Sequence, residues 1–362
     1  MRTIIDILRK GNQELFHSSM IAWLLDPRAE HGLGKVFLEQ FADKLVDKGR
    51  PELLEIVKTA LPDSVRTEAT SYKSRYDIVI SIGQILIVIE NKTKSLGEWP
   101  QFRKYEATNP LLVALGLCDV SFSADVASKY PLLTYRDVLG ILNNLPKQNN
   151  DFGVLIDHYR LFLERELSIL EFIVDCYAHG NLNCHTRISE LVKTASYTDN
   201  DRRFLNLYFL EKFREHLSNS PLWQEARWST NKNMQSGVWL ANYDAKLPNS
   251  YYVNPSIKRF CQEKSAGLWF HIELWNGVFA VGLDDTVGML QLRCGTKSDK
   301  KEFIKEFQGL YKPAEGEYYP SRMRDAGSFY LVGRNLSKKE LVFIQLEKQM
   351  ICFAERFGSF RV

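Results

Sequence analysis

The chain has 362 residues, of which 45% are hydrophobic and 25% charged, and a formal net charge of +3. That is the composition of a soluble globular protein long enough for two domains of ordinary size. Its apolar runs are strand-sized, which excludes a membrane span, and its charge removes a strongly acidic balance without establishing a nucleic-acid partner, so any binding face must come from local clusters of Lys and Arg. The opening stretch Met1-Arg-Thr-Ile-Ile-Asp-Ile-Leu-Arg-Lys10 carries charges too early for a signal peptide. Six cysteines stand at 118, 176, 184, 261, 294 and 352 with no C-x-x-C, which reads as reduced thiols. A cytoplasmic protein is the expectation.

Residues 1–48 read as helices. Ile4, Ile5, Ile7 and Leu8 form an apolar stripe, and a second helix runs from about Gln13 to Leu25 and stops at Asp26-Pro27. A third begins near Gly34 and carries Val36, Phe37, Phe41 and Leu45. Strands follow near Ser64–Ala69, Tyr76–Ser81 and Ile85–Asn91, then a helix over Glu98–Ala107 with Pro100 in its first turn. Leu111–Leu115 and Leu132–Thr134 read as strands, Tyr135–Leu145 as a helix, and Gly153–Tyr177 as a long helix. Helical material continues to Leu217, beyond which Trp- and Tyr-rich strand segments appear, including Gly267–Leu283 and Gly288–Cys294. Helices at Lys300–Leu310 and Lys338–Phe357 close the chain. The division predicted is 1–180 for a first domain and 181–362 for a second, α+β one.

The chemistry is concentrated in Arg75-Tyr-Asp-Ile-Val-Ile-Ser-Ile-Gly-Gln-Ile-Leu-Ile-Val-Ile-Glu-Asn-Lys92, two apolar strands joined at a glycine turn. Side chains alternate along a strand, so Leu86, Val88, Glu90 and Lys92 share a face. A two-residue turn at Ile82-Gly83 sets Ser81 opposite Gln84 and Asp77 opposite Val88. Asp77 is then a diagonal neighbour of Glu90, roughly 7–8 Å away on the same face. A bulge would flip that register. Burying a charge without a partner is costly, and two inward carboxylates can hold one divalent ion between them. Mg²⁺ needs only one or two carboxylates because it keeps several waters. Lys92, beside them, would orient the attacking water or offset charge on a phosphate. The competing reading is a surface hairpin with an ion pair, but Ile85-Leu-Ile-Val-Ile89 is too apolar for a strand with a wet face.

This set resembles the PD-(D/E)XK nuclease superfamily, whose core is a mixed β-sheet flanked by helices, an α/β (α+β) restriction-endonuclease-like fold. Gln101-Phe-Arg-Lys-Tyr105 is similar to the Q-x-x-x-Y signature of exonuclease-like members. Glu14-Leu-Phe-His-Ser18, Trp23-Leu-Leu-Asp-Pro27 and His31-Gly-Leu-Gly34 resemble the N-terminal signature of one largely uncharacterised bacterial family within it. The likeness covers roughly residues 10–145. It implies that Asp77 and Glu90 are metal-binding acids and Lys92 the catalytic lysine. It implies that Glu14 is an additional acid touching the metal directly or through water, and that Gln101 positions the lysine or the substrate. Tyr105 would lie one helical turn beyond Gln101 on the same face. The proline of the superfamily's name is replaced by Tyr76, at a position that is loose among members.

The resulting expectation is a Mg²⁺- or Mn²⁺-dependent deoxyribonuclease that hydrolyses DNA by a metal-activated water, in DNA processing or in defence against foreign DNA. Lys73, Arg75, Lys94, Arg103 and Lys104, with Tyr105, would form the nucleic-acid-binding rim, against the plainer reading of solvated loops. Two rivals stay open: the same chemistry on RNA, and a catalytically silent module that binds nucleic acid or a protein partner. A homodimer is also left open, and no membrane contact is expected.

Other residues have a plainer alternative beside the functional one. His17 shares a helix face with Glu14 and Ser18, and would either touch a phosphate or pack between helices, the second being favoured. His31 at the start of a helix would bind an anion or serve only a turn. Glu68 would be a further metal or structural ligand. Cys176, His179, Cys184 and His185 read C-x2-H-x4-C-H, which fits no standard zinc pattern well; the end of a helix and a turn at Gly180 is the simpler account. Trp223, Trp228, Trp239, Trp269 and Trp275 would stack bases or, more simply, fill a β-rich core. Lys300, Lys301 and Lys305 are interrupted by Asp299, Glu302 and Glu306, which favours a solvated helix face.

Overall fold

A computed structural model describes residues 3–8, 10–11, 13–71, 74–93, 102, 105, 110–122, 124–194, 199–218, 237–243, 252–253, 263–264, 267–274, 286–295, 299–319, 329–355 and 358–359. The chain packs as two compact units, residues 1–170 with 191–201, and residues 171–190 with 202–362.

The first unit opens with helices α1 (Ile4–Ile7), α2 (Glu14–Leu25), α3 (Val36–Val46) and α4 (Pro51–Thr59). α2 stops at Asp26, whose extended backbone precedes Pro27, as the steric demand of proline on its neighbour requires. α4 has no counterpart in the sequence reading. Its signals were local: Pro51 at the first helical position, and Leu53 and Val57 four apart and both buried.

A five-stranded mixed sheet follows in the order β1 (Ser64–Ser71), β2 (Ser74–Ile82), β3 (Ile85–Lys92), β4 (Leu111–Gly116), β5 (Leu132–Thr134). β1, β2 and β3 pair antiparallel, whereas β4 joins β3 and β5 joins β4 in parallel. α5 (Ala124–Lys129) and α6 (Tyr135–Asn143) follow β4 and β5. Thr134 caps α6 reciprocally with Asp137, whose Oδ2 accepts from the Thr134 amide at 2.8 Å and hydroxyl at 3.0 Å. α7 (Asp151–Ala178) is the long helix predicted near Gly153–Tyr177. Of the helix predicted over Glu98–Ala107, the described Phe102 and Tyr105 are helical and buried.

β3 is buried from Ile87 to its end, as its unbroken apolar run foretold. One layer gathers Val79, Val88, Leu112, Ala114, Phe102, Tyr105, Phe122, Val126 and Tyr130. The hairpin register differs from the predicted one. Ile82 faces Ile85, Ser81 faces Leu86 and Ile78 faces Ile89, so the turn is Gly83-Gln84. Gly83 has φ +58°, and no non-glycine residue near it is positive, the φ pattern of the II′ turns that match strand twist. The shift is two residues, so every side chain keeps its predicted face.

In the second unit, β6 (Gly237–Tyr243), β8 (Gly267–Leu274), β9 (Thr286–Gly295), β10 (Glu317–Tyr318) and β11 (Phe329–Ser337) form an antiparallel sheet in the order β10-β11-β9-β8-β6. β7 (Tyr252–Val253) pairs with β12 (Gly358–Ser359). Among the described residues that remain, the α-helices are α8 (Cys184–Thr194), α9 (Asp199–Ser218), α10 (Lys300–Leu310) and α11 (Phe343–Glu355). Asp299 caps α10, accepting from the Lys301 and Glu302 amides at 3.0 Å each; Phe303 and Phe307 bury its inner face. Tyr177, Phe209, Phe213 and Phe343 pack ring against ring. Trp239 and Trp269 lie on β6 and β8, and Trp223, Trp228 and Trp275 lie outside the described residues.

Candidate active site

Continuing the hairpin ladder one step beyond Ile78 and Ile89 brings Asp77 level with Glu90. The two acids are therefore closer in register than the diagonal placement predicted from the sequence. Glu90 and Lys92 share a face of β3 by alternation. Lys92 Nζ stands 2.7 Å from Glu90 Oε1, 3.1 Å from Glu14 Oε1 and 3.9 Å from Asp77 Oδ2. One ammonium thus collects carboxylates from α2, β2 and β3. The Glu90 side chain is 0% exposed and that of Lys92 8%.

Backbone amides complete the cluster. Asn91 N–H donates to Asp77 Oδ2 at 2.8 Å, and Thr93 N–H to Glu14 Oε2 at 3.4 Å. Tyr105 OH donates to Glu90 Oε2 at 2.8 Å and also lies 3.1 Å from the Arg75 carbonyl oxygen. Burial, then the neighbouring Asp77, pushes the Glu90 carboxyl up to about 7, against the pull of Lys92 and Tyr105. Burial raises Asp77 also, with Lys92 and the Asn91 amide opposing. Burial alone would lower Lys92, but Glu90, Glu14 and Asp77 outweigh it and hold the ammonium above its ordinary range.

Among the described residues no three His, Cys, Asp or Glu side chains form a metal cage. The donor set still fits a hard divalent cation. Asp77 and Glu90 offer oxygen only, Glu90 is buried and Asp77 half-buried, and the two repel one another, a charge imbalance that a cation relieves. Glu14 is engaged by Lys92 and the Thr93 amide.

The remaining sequence-predicted residues fall in several places. Gln101, Lys73, Lys94, Arg103 and Lys104 lie outside the described residues. Arg75 is exposed and pairs with Glu68, a residue of β1 held at φ +54°. Tyr105, read from the sequence as a nucleic-acid contact, is 3% exposed with its hydroxyl on Glu90. A phenol so enclosed orients the acid; it has no free face for a base. His17 is buried, with Nε2 at 2.9 Å from the Gly11 carbonyl oxygen and Nδ1 at 3.1 Å from Tyr159 OH, the packing role favoured from sequence. His31 Nδ1 accepts the Leu33 amide at 2.9 Å, so its Nε2–H is free to donate to the Asp26 carbonyl at 3.0 Å. The neutral ring satisfies both bonds, and burial lowers its pKa, which suits a turn residue better than an anion site. Cys184 Sγ donates to Asp175 Oδ2 at 2.8 Å and His179 Nδ1 lies 3.4 Å from Asp175 Oδ1. α7 ends at Ala178, and Gly180 turns the chain at φ +72°.

Sequence reasoning missed Asn91, Tyr135 and Tyr159. Asn91 Nδ2 donates to Ser18 Oγ at 3.0 Å, and Tyr135 OH donates to Asn91 Oδ1 at 2.9 Å. The one local signal was an amide between two ionisable residues on a strand otherwise made of Ile, Leu and Val.

A sequence model of the PD-(D/E)XK nuclease superfamily matches residues 3–115. No curated protein and no solved structure matches the chain. No helix among the described residues is long and apolar enough to cross a membrane.

Proposed function

We propose, on the premise that residues 3–115 match the sequence model of the PD-(D/E)XK nuclease superfamily, that the chain is a Mg²⁺- or Mn²⁺-dependent deoxyribonuclease that hydrolyses phosphodiester bonds. The observation that carries this reading is the meeting of Asp77, Glu90 and Glu14 around Lys92 Nζ. Asp77 and Glu90 would hold the cation, which supplies charge neutralisation at the phosphate and acidifies water. Lys92, kept charged by three carboxylates, is suited to stabilise the negative charge that develops on the scissile phosphate. Tyr105 and Lys92 each take one oxygen of Glu90, which fixes the plane of that carboxylate. Glu14 would hold Lys92 from α2.

The test incubates purified protein with plasmid, linear duplex, single-stranded DNA and RNA, in Mg²⁺, Mn²⁺ or chelator. Cation-dependent cleavage of DNA, lost in Glu90→Gln and Lys92→Ala, supports the reading. Cleavage of RNA alone moves the substrate. No cleavage of any form defeats it.

A further inference from the structure

Asn91 sits between Glu90 and Lys92 and, by alternation, faces the other side of β3. That side is apolar: Ile87 and Ile89 share it, and Asn91 itself is fully buried. A buried amide there costs free energy unless every polar atom is partnered. An aliphatic residue would suit the layer without that demand. The amide is partnered on both arms, by Ser18 Oγ through Nδ2 and by Tyr135 OH through Oδ1.

Each arm leads further. Ser18 lies one helical turn beyond Glu14 on α2, and its Oγ donates to the Glu14 carbonyl oxygen at 3.0 Å. Tyr135 hydrogen-bonds Tyr159, Tyr159 OH meets His17 Nδ1, and His17 Nε2–H donates to the Gly11 carbonyl oxygen. The chain of contacts thus leaves α2 at Ser18, crosses β3, passes through α6 and α7, and returns at His17 to the segment that starts α2. Meanwhile the Asn91 backbone amide holds Asp77. Any slip of Asn91 would displace Asp77 directly, Glu90 and Lys92 through the strand, and Glu14 through Ser18.

We propose that the buried series His17, Tyr159, Tyr135, Asn91 and Ser18 is a positioning device that fixes β3 against α2, and so holds Asp77, Glu90, Lys92 and Glu14 at catalytic spacing. None of the five is a catalytic residue; each acts through Asp77, Glu90, Lys92 and Glu14. The effect on turnover rests on the nuclease reading above. The effect on backbone order does not.

The experiment uses the full chain with Tyr135→Phe, Ser18→Ala and the hydroxyl-retaining Ser18→Thr. Two quantities are read: kcat and KM on a DNA substrate with Mg²⁺ or Mn²⁺, and amide hydrogen exchange at Asn91 and Thr93 without metal. Those two amides report the Asp77 and Glu14 contacts. The expected result is kcat lower by about tenfold to a hundredfold in Tyr135→Phe and Ser18→Ala at unchanged KM, and exchange about tenfold faster at the two amides. Ser18→Thr recovers most of both. If Tyr135→Phe does not fold, the Ser18 pair decides alone. A lower melting temperature with kcat within about twofold of wild type overturns the proposal, since the series would then only satisfy a polar core. If the wild type cleaves nothing, the nuclease reading fails by itself, and exchange decides: faster at Asn91 and Thr93 supports positioning, unchanged overturns it.

Discussion

Tyr105, the last residue of Gln101-Phe-Arg-Lys-Tyr105, donates its hydroxyl to Glu90 Oε2 at 2.8 Å. Tyr105→Phe keeps the ring in its aromatic layer against Tyr76 and Phe102 and removes only the donor. The buried carboxylate then loses that donor, at a cost of about 1–3 kcal/mol. The expected outcome is a lower unfolding midpoint in denaturant and a fall in kcat, with substrate KM unchanged. A rise in KM alone would return Tyr105 to the substrate surface.

Glu90 should make the metal-free protein sensitive to pH. Its folded-state pKa is raised to about 7, by burial first and then by Asp77. A raised pKa means the folded state holds the proton more tightly than the unfolded chain. The resulting stability is fully present below the ordinary glutamate pKa and is lost as pH rises through about 7. Asp77 shifts in the same direction. The metal-free protein should therefore melt lower at about pH 8 than at about pH 5.5, and Glu90→Gln should flatten that dependence. Cation binding requires the ionised acid, so affinity should increase with pH and binding at about pH 6 should release protons. Calorimetry in two buffers of different ionisation enthalpy measures that release.

Removing the ammonium tests the same balance from the other side. Lys92→Ala leaves the buried Glu90 and the half-buried Asp77 without their shared cation. Breaking a buried pair in this way costs roughly 3–5 kcal/mol. The loss should be largest near about pH 8, shrink toward about pH 6 as the acids take protons, and be partly restored by Mg²⁺. Thermal melts with and without Mg²⁺ across that range decide it. A loss that does not vary with pH would show that Lys92 stabilises by packing alone.

Gly116 matters for space. It pairs with Lys92 in the parallel ladder, and the next residue, Leu117, donates its amide to the Lys92 carbonyl oxygen at 2.9 Å. A Cβ at Gly116 would stand 2.6 Å from Ser121 Cβ and 2.9 Å from the Cys118 carbonyl oxygen, so the turn after β4 must move. Gly116→Ala should cost about 1–3 kcal/mol and lower activity, because the displaced ladder is the one that ends at Lys92. Denaturant midpoints and initial cleavage rates measure the two effects.

The sequence by itself determined which residues of the hairpin belong together. Asp77, Glu90 and Lys92 could be placed on one face because strand side chains alternate with period two, and a two-residue error in the turn left that parity intact. The burial of β3 was legible in Ile85-Leu-Ile-Val-Ile89, and the end of α2 in Asp26-Pro27, since both are local consequences of side-chain chemistry. The helix Pro51–Thr59 was written in the same local terms and was overlooked. What only the tertiary structure decided was contact at a distance. Either pair of residues around Gly83 could have made the turn, and the pairing of Ile82 with Ile85 places it at Gly83-Gln84. Asn91 meets Ser18 across 73 positions and Tyr135 across 44, and no periodicity records such a pairing. Tyr105 likewise reads as a surface contact until the sheet layer closes over it. Local propensity is carried by neighbouring residues, whereas the choice of a buried polar partner is made only when the whole core excludes water.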